Sequence, residues 1–189
     1  SRDDPGAEVQ EYGAEVLGQL TENINLFSRY TVADRNAESL TQAQVTVQWI
    51  VSESTTWGAE LRMLDEQRLS GDAVGTLAAL QYKRQIGSNL DLYGIGQVTL
   101  SNDGGAYQDN NSLTVGAEYV FGELSTVTAE LVTGERGNAA KIGADYKLNQ
   151  NYGIYGNYTY TNELQEYDTL FNSQLNTGWT IGQRWHVSN

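Results

Sequence analysis

The chain has 189 residues, of which 39% are hydrophobic and 19% charged, and its formal net charge is −13. The length suits a single domain over residues 1–189, and the acidic balance argues against nucleic-acid binding, which favours basic surfaces. No run approaches the roughly 18–20 apolar residues that a transmembrane helix needs, so a helical membrane protein is excluded as well.

Residue usage points to β structure. The chain holds 20 Gly, 12 Tyr and a single Pro. Tyr, Thr and Val suit strands, whereas Pro is poorly tolerated inside a ladder. Cysteine is absent, which is compatible with a closed barrel that needs no disulfides. Residues 1–7 read as a loop tip, without the features of a signal peptide.

Apolar and polar residues alternate along nearly the whole chain, which predicts strands with one apolar and one polar face. The clearest example places Val45 and Val47 on one face and Gln44 and Gln48 on the other. In chain order the predicted strands span about 9–20, 23–34, 42–52, 55–67, 73–86, 89–101, 112–121, 124–134, 138–148, 151–162 and 174–187.

Most of these strands are about 10–13 residues long, enough to cross a bilayer when tilted. Their connections alternate in predicted length, which is the layout of an antiparallel up-and-down transmembrane β-barrel with short periplasmic turns and long extracellular loops. Short turns are predicted near 21–22, 53–54, 87–88, 122–123, 149–150 and 187–189. Longer loops are predicted near 35–41, 67–72, 102–111, 134–138 and 163–173.

Aromatic residues support this layout, because seven of them lie near a short turn on the apolar face of their strand. Such a band is typical of the girdle at a membrane interface. The alternative is that aromatic residues simply favour strands. The predicted girdle consists of Trp49, Trp57, Tyr82, Phe121, Tyr146, Tyr152 and Trp185.

Segments such as SLTVGAEYVFG, AAKIGADYKLNQNYGIYGNYTY and LNTGWTIGQRW look like barrel hairpins. In this pattern the chain resembles the bacterial outer-membrane β-barrel superfamily, including porin-like and larger barrels. The resemblance implies a location in the outer membrane and contact with its lipid and lipopolysaccharide. The sequence departs from the superfamily at its end, because it closes on His186 to Asn189 and not on an aromatic residue.

The first and last predicted strands run in the same direction, whereas a closed antiparallel barrel needs an even number of strands. Open strand edges are costly in lipid, because each unpaired backbone group there loses its hydrogen bond. We therefore expect these eleven strands to be part of a larger barrel, with neighbouring strands at one or both ends. A missed strand and an odd-numbered closure are the alternatives.

The sequence gives little support for catalysis, and no catalytic residue, cofactor or metal is predicted. His186 is the only histidine, so the common zinc and Cys–His constellations are excluded, and a Ser–His–acid site would need this residue at the barrel rim. The acidic stretch 102–105 with Asp109 is compatible with a divalent cation, but it matches no EF-hand spacing and is better interpreted as a solvated loop.

The polar faces of the predicted strands contain twelve charged residues that would line the lumen. They either line a water-filled pore and set its ion preference, or pair across strands, as Glu130 would with Lys141, and support a plug, loop or partner protein. These residues are Glu15, Arg29, Glu60, Arg62, Lys83, Asp91, Glu118, Glu130, Lys141, Asp145, Lys147 and Arg184.

The leading functional hypothesis is therefore the wall of a transport or secretion conduit in the outer membrane, without enzyme activity. One alternative is an outer-membrane barrel that anchors or scaffolds an extracellular or periplasmic partner. Another is a soluble β-rich adhesin.

Overall fold

The computed structural model describes residues 9–35, 38–105, 109–122, 125–149, 151–162 and 178–185. Eleven strands lie within these ranges, so each of the predicted strands is present. They are β1 Val9–Thr21, β2 Ile24–Arg35, β3 Glu38–Ser52, β4 Thr55–Gln67, β5 Ala73–Ile86, β6 Leu90–Asp103, β7 Ser112–Phe121, β8 Ser125–Gly134, β9 Gly137–Lys147, β10 Tyr152–Thr161 and β11 Gly178–Trp185.

The strands form one sheet in which each strand pairs antiparallel with its neighbours in the sequence, in the order β1 to β11. This is the up-and-down meander expected from the alternation. Among the described residues, no helix is both long and apolar enough to span a membrane.

Two of the predicted long loops are wrong. The β2–β3 connection is only residues 36–37, because Glu38 and Thr41 continue the ladder opposite Arg35 and Val32. The β8–β9 connection is only residues 135–136, because Gly134 pairs with Gly137. Polar residues do not end a strand when the partner strand still satisfies their backbone groups.

The short-connection end of the sheet consists of residues 22–23, 53–54, 87–89, 122–124 and 148–151. The opposite end consists of 36–37, 68–72, 104–111, 135–136 and 162–177. At the opposite end two connections touch, because Gly104 adopts a φ of +67° beside Asp72, where an added Cβ would lie 2.2 Å from the Asp72 carbonyl oxygen. Gly71 has a φ of +126° but faces open space.

The strands are staggered as they are in a barrel wall. A row of directly paired residues starts near the short-connection end on β3 and ends near the opposite end of β10. Such a stagger requires strands that are tilted relative to the barrel axis. The row runs through Trp49, Trp57, Tyr82, Gly94, Val115, Leu131, Ala140 and Tyr160.

The sheet is not closed. Within the described residues β1 pairs only with β2, and β11 pairs only with β10. Both edge strands run toward the short-connection end, as expected from the predicted directions. The architecture is therefore an all-β antiparallel wall of eleven strands, consistent with part of a barrel.

Candidate functional site: the polar inner wall

The predicted lumen charges all lie on one face of the sheet. One row of directly paired residues, which contains Lys83, Tyr93, Gly116, Glu130 and Lys141, links five successive strands. Paired residues on neighbouring strands point to the same side of a sheet. We call this side the inner face and the opposite, apolar side the outer face.

Burial on the two faces is inverted relative to a soluble protein. On β8, Glu130 is 6% exposed, whereas the adjacent Leu131 on the outer face is 59% exposed. On β4, Glu60 is 4% exposed and Leu61 is 40% exposed. A continuous exposed apolar face opposite a polar inner face is the pattern of a wall that contacts lipid.

Two ion pairs join different strands of the inner face, one near each edge of the sheet. Arg29 on β2 donates to the Glu15 carboxylate on β1 through Nε at 3.0 Å and NH2 at 2.8 Å. Arg184 on β11 binds Asp145 on β9 at 2.5 Å and thus spans β10. Both arginines are at least half exposed, so each pair is expected to contribute at most about 1 kcal/mol of stability.

The Glu60 carboxylate is held more firmly. It accepts hydrogen bonds from Gln44 at 3.0 Å, from Thr46 at 3.4 Å and from the Arg62 guanidinium at 3.2 Å. The side chains of Glu60 and Arg62 are only 2% and 13% exposed. Because a buried carboxylate is costly without partners, these three donors make the ion pair a fixed part of the wall.

A third cross-strand pair joins Lys83 on β5 to Asp91 on β6 at 2.7 Å. Eight of the twelve predicted lumen charges thus form four ion pairs within the described part of the chain. Glu130 and Lys141 are directly opposite each other, as predicted, but the hydrogen bond described for Glu130 comes from Tyr93. For these eight residues, pairing is the arrangement adopted.

Tyr93 links strands that are not neighbours. Its side chain lies across Gly116 on β7, where an added Cβ would come within 2.1 Å of the ring. Its hydroxyl donates to Glu130 on β8 at 2.5 Å. The missing side chain at Gly116 is what lets the ring lie flat on the wall and reach the second strand.

The same arrangement recurs on β10 and β11. Tyr155 lies across Gly182, where an added Cβ would be 2.3 Å from the ring, and the Arg184 guanidinium lies 4.9 Å from the ring centroid. On β2, Arg29 lies 5.5 Å from the Phe27 ring in a similar way. The inner face therefore combines aromatic rings with paired charges, at distances suited to cation–π attraction.

Part of the inner face is apolar and buried. Leu77 and Ala79 on β5 pack with Ile95 on β6 and with the ring of Tyr93, and Leu77 is fully buried. Alternation places all four on the polar side, which strict patterning does not predict. In the sequence, this apolar patch is indicated only by the run of apolar residues in β5, where Leu77 and Ala79 interrupt the alternation of apolar and polar residues.

The predicted aromatic girdle lies on the outer face at the short-connection end. Trp57 and Tyr82 are 4.9 Å apart between ring centroids, and Tyr152 and Trp185 are 4.7 Å apart. Trp49 is directly opposite Trp57. The other two predicted members, Phe121 and Tyr146, stack at 6.2 Å. Their position at a membrane interface stays a prediction.

Nothing in the described ranges resembles a catalytic or metal centre. They contain no group of three or more His, Cys, Asp or Glu side chains placed to hold a metal ion. His186 lies outside the described residues, as does most of the β10–β11 connection. Asp103 and Asp109 flank a connection that is described only in part.

Neither a protein-family model nor a curated protein sequence matches the chain. Solved structures do. The KdgM porin aligns over 95% of this chain and 98% of its own, with a TM-score of 0.54 and 10% identity. A structure of KdgM porin in complex with disordered oligogalacturonate aligns equally well, at 12% identity.

The outer membrane phospholipase OMPLA of Salmonella typhi, a dimer with bound calcium, aligns over 94% of this chain and 77% of its own. Its TM-score is 0.56 and its identity 12%. OMPLA of Escherichia coli gives 0.53 at the same identity and coverage. These likenesses concern the fold of the chain, since the identities are far too low to transfer a binding site or an activity.

Proposed function

We propose that this chain, which has the fold of the bacterial outer-membrane β-barrels, forms the wall of a passive conduit for small hydrophilic solutes. The observation that carries the proposal is the inverted burial of the two faces. The outer face exposes large apolar side chains that suit lipid, and the inner face contains charged, amide and hydroxyl groups that suit water.

The charges of the inner face point to weak ion selectivity. The twelve predicted lumen residues comprise six acidic and six basic side chains, and eight of them are engaged in ion pairs. Glu11, Glu38 and Glu66 lie on the same face near the opposite end, which makes that end of the inner face acidic. Paired charges present little net field to a permeating ion. One KdgM porin structure contains an oligogalacturonate, an anionic chain; the slightly acidic inner face of this protein favours uncharged solutes over such polyanions.

Planar-bilayer recording tests the conduit. We expect the protein, purified from outer membranes, to give discrete conductance steps with a reversal potential near zero under a KCl gradient. Absence of any conductance, also in a variant with residues 163–173 replaced by a short Gly–Ser linker, would overturn the proposal. The same recordings with Glu15→Gln and Arg29→Gln together should change selectivity little, because this double change removes one charge of each sign.

A second function is favoured by the buried apolar cluster of Leu77, Ala79 and Ile95. A buried apolar cluster on the inner wall is not expected in a water-filled pore, whereas a barrel whose lumen is packed with protein is expected to contain one. Under this alternative the protein anchors an extracellular or periplasmic partner or a plug. This alternative would be supported if the protein gives no conductance in bilayers and co-purifies with a second protein in a fixed ratio.

We propose no enzyme activity, although the similar OMPLA structures belong to a phospholipase. His186 is the only histidine available for a Ser–His–acid site, and no such site is assembled among the described residues. Incubation with phospholipid vesicles should release no fatty acid above a heat-denatured control. A soluble adhesin is disfavoured, because the outer face exposes residues such as Leu131 and Ile142 by more than half.

For orientation we propose that the short-connection end faces the periplasm and the opposite end the exterior. Every connection at the first end has at most four residues, whereas 68–72 and 104–111 at the other are longer. Short periplasmic turns and longer outer loops are usual for bacterial barrels. The partners proposed for the outer face are membrane lipid and lipopolysaccharide, with further barrel strands at the two edges.

A further inference from the structure

A polar cavity of about 740 Å³ lies at the short-connection end of β9, β10 and β11. We call it the rim cavity. Its lining includes Asp145 and Lys147 of β9, Gly153 of β10 and Arg184 of β11. The cavity contains the Arg184–Asp145 ion pair, but the conduit proposal is carried by the burial of the two faces and does not depend on this cavity.

Two cationic residues of this cavity lie on the strands that flank Gly153. Lys147 and Arg184 are both direct register partners of Gly153. They therefore stand on either side of a residue that has no side chain. Since neighbouring strands are about 4.8 Å apart, their backbones are separated by roughly 10 Å. Two long cationic side chains at this spacing can converge on one small anion.

Arg184 is held in place on one side only. Asp145 binds its NH1 at 2.5 Å, and the Tyr155 ring lies 4.9 Å from the guanidinium. Its side chain is nevertheless 66% exposed. A guanidinium has five N–H donors, so this anchoring leaves donors for a ligand. Asp145, Lys147 and Arg184 sum to +1, whereas the twelve predicted lumen charges sum to zero.

The remaining lining is suited to a polar ester. Asn149 and Asn151, in the connection between β9 and β10, supply amide groups. Tyr152, Gln183 and Trp185 border the cavity from the outer face. Charge-assisted hydrogen bonds from Lys and Arg, together with amides, are the ordinary means by which proteins hold phosphate oxygens.

We propose that the rim cavity binds the phosphoryl group of a phosphate ester. Lys147 and Arg184 are its cationic ligands, and Asp145 is a positioning residue that orients Arg184. The same chemistry is available from a soluble phosphorylated metabolite and from a phospholipid headgroup. This binding is independent of conduction through the lumen.

Two binding experiments, which we call arms, test the proposal on the purified protein in detergent. Glycerol 3-phosphate is titrated by calorimetry, and phosphatidylglycerol adducts are counted by native mass spectrometry against uncharged diacylglycerol. We expect binding in at least one arm, and that arm identifies the source. Lys147→Gln and Arg184→Gln should each weaken binding about fivefold, since one charge contact at high dielectric is worth about 1 kcal/mol. Lys83→Gln, an inner-face lysine outside the cavity, should leave it unchanged.

The decisive variant is Asp145→Asn. The amide still accepts a hydrogen bond from Arg184, but the competing negative charge is gone, so binding should tighten severalfold. A neutral sugar held by the carboxylate would instead bind more weakly. The proposal is overturned if neither arm shows binding, if Lys147→Gln behaves as Lys83→Gln does, or if Asp145→Asn weakens binding. Lys147 is exposed, so its substitution remains informative even if Arg184→Gln fails to fold.

Discussion

The hydroxyl of Tyr93 on β6 donates to the carboxylate of Glu130 on β8 at 2.5 Å, and the ring crosses Gly116 on the strand between them. Three strands of the wall are thus joined by one side chain. Backbone ladders connect only neighbouring strands, so this contact adds a restraint that the sheet itself does not supply. It also satisfies a carboxylate that is almost completely buried.

Tyr93→Phe should destabilise the protein by about 1–3 kcal/mol, because it keeps the ring over Gly116 but removes a hydrogen bond to a buried carboxylate. The free energy of unfolding in urea, measured for the protein folded in lipid vesicles, provides the test. Tyr160→Phe is the matched control, because Tyr160 lies on the exposed outer face. Equal effects of the two changes would refute a special role for the Tyr93 hydroxyl.

Gly116→Ala should destabilise the protein by about 2–3 kcal/mol, because the new methyl group would lie 2.1 Å from the Tyr93 ring and would push it off the wall. Gly96→Ala is the control, since no atom lies within 4 Å of a Cβ at Gly96. The same urea titrations apply. The explanation fails if Gly96→Ala is as damaging as Gly116→Ala.

Glu60→Ala should destabilise by about 3–5 kcal/mol, because it leaves the Arg62 guanidinium buried beside polar groups that have lost their shared partner. Glu15→Ala should cost less than about 1 kcal/mol, because the Glu15–Arg29 pair is half exposed. Unfolding midpoints for the two variants, recorded at low and high salt, separate these cases. At high salt, only the Glu15 variant should have the same unfolding midpoint as the parent protein.

Ile142→Arg should destabilise by about 2–4 kcal/mol, since Ile142 is exposed on the outer face at the middle of β9, where we expect the bilayer core. Lys141→Arg, one residue earlier on the inner face, should be nearly neutral. Folding yield into vesicles and unfolding energies give the comparison. A neutral Ile142→Arg would mean that this face does not contact lipid.

Single-cysteine labelling tests the proposed orientation, and the protein has no native Cys to interfere. In intact cells a membrane-impermeant maleimide should label Ser70→Cys, in the 68–72 connection, but not Ser54→Cys at the short-connection end. Both should react after the outer membrane is permeabilised. The reverse pattern in intact cells would invert the assignment.

The strands could be predicted from sequence because residues such as Val45 and Gln44 alternate with the period of the pleat, and a two-faced wall needs little else. The ends of the strands could not be predicted, because they depend on where each connection turns. Residues Glu38 to Thr41 read as a polar loop, yet they continue β3. When a strand extends beyond the membrane into water, its residues are as polar as those of a loop, so the sequence does not distinguish the two.

Side chains that act across two strands were also beyond the sequence. The sequence predicts Glu130 opposite Lys141, and the register confirms this. The hydrogen bond from Tyr93 to Glu130 depends in addition on which residue of β7 lies between these two side chains. Leu77 was missed for a related reason. Alternation assigns a face by parity, and it does not reveal that part of the polar face is packed and dry.

The contact between Gly104 and Asp72 makes the two connections at the opposite end mechanically dependent. An epitope inserted next to Gly71, where the backbone borders open space, should be displayed without disturbing the wall. The same insertion at Gly104 would have to separate the 68–72 and 104–111 connections, which are in contact there. Of these two glycines, only Gly71 is therefore expected to tolerate an inserted peptide.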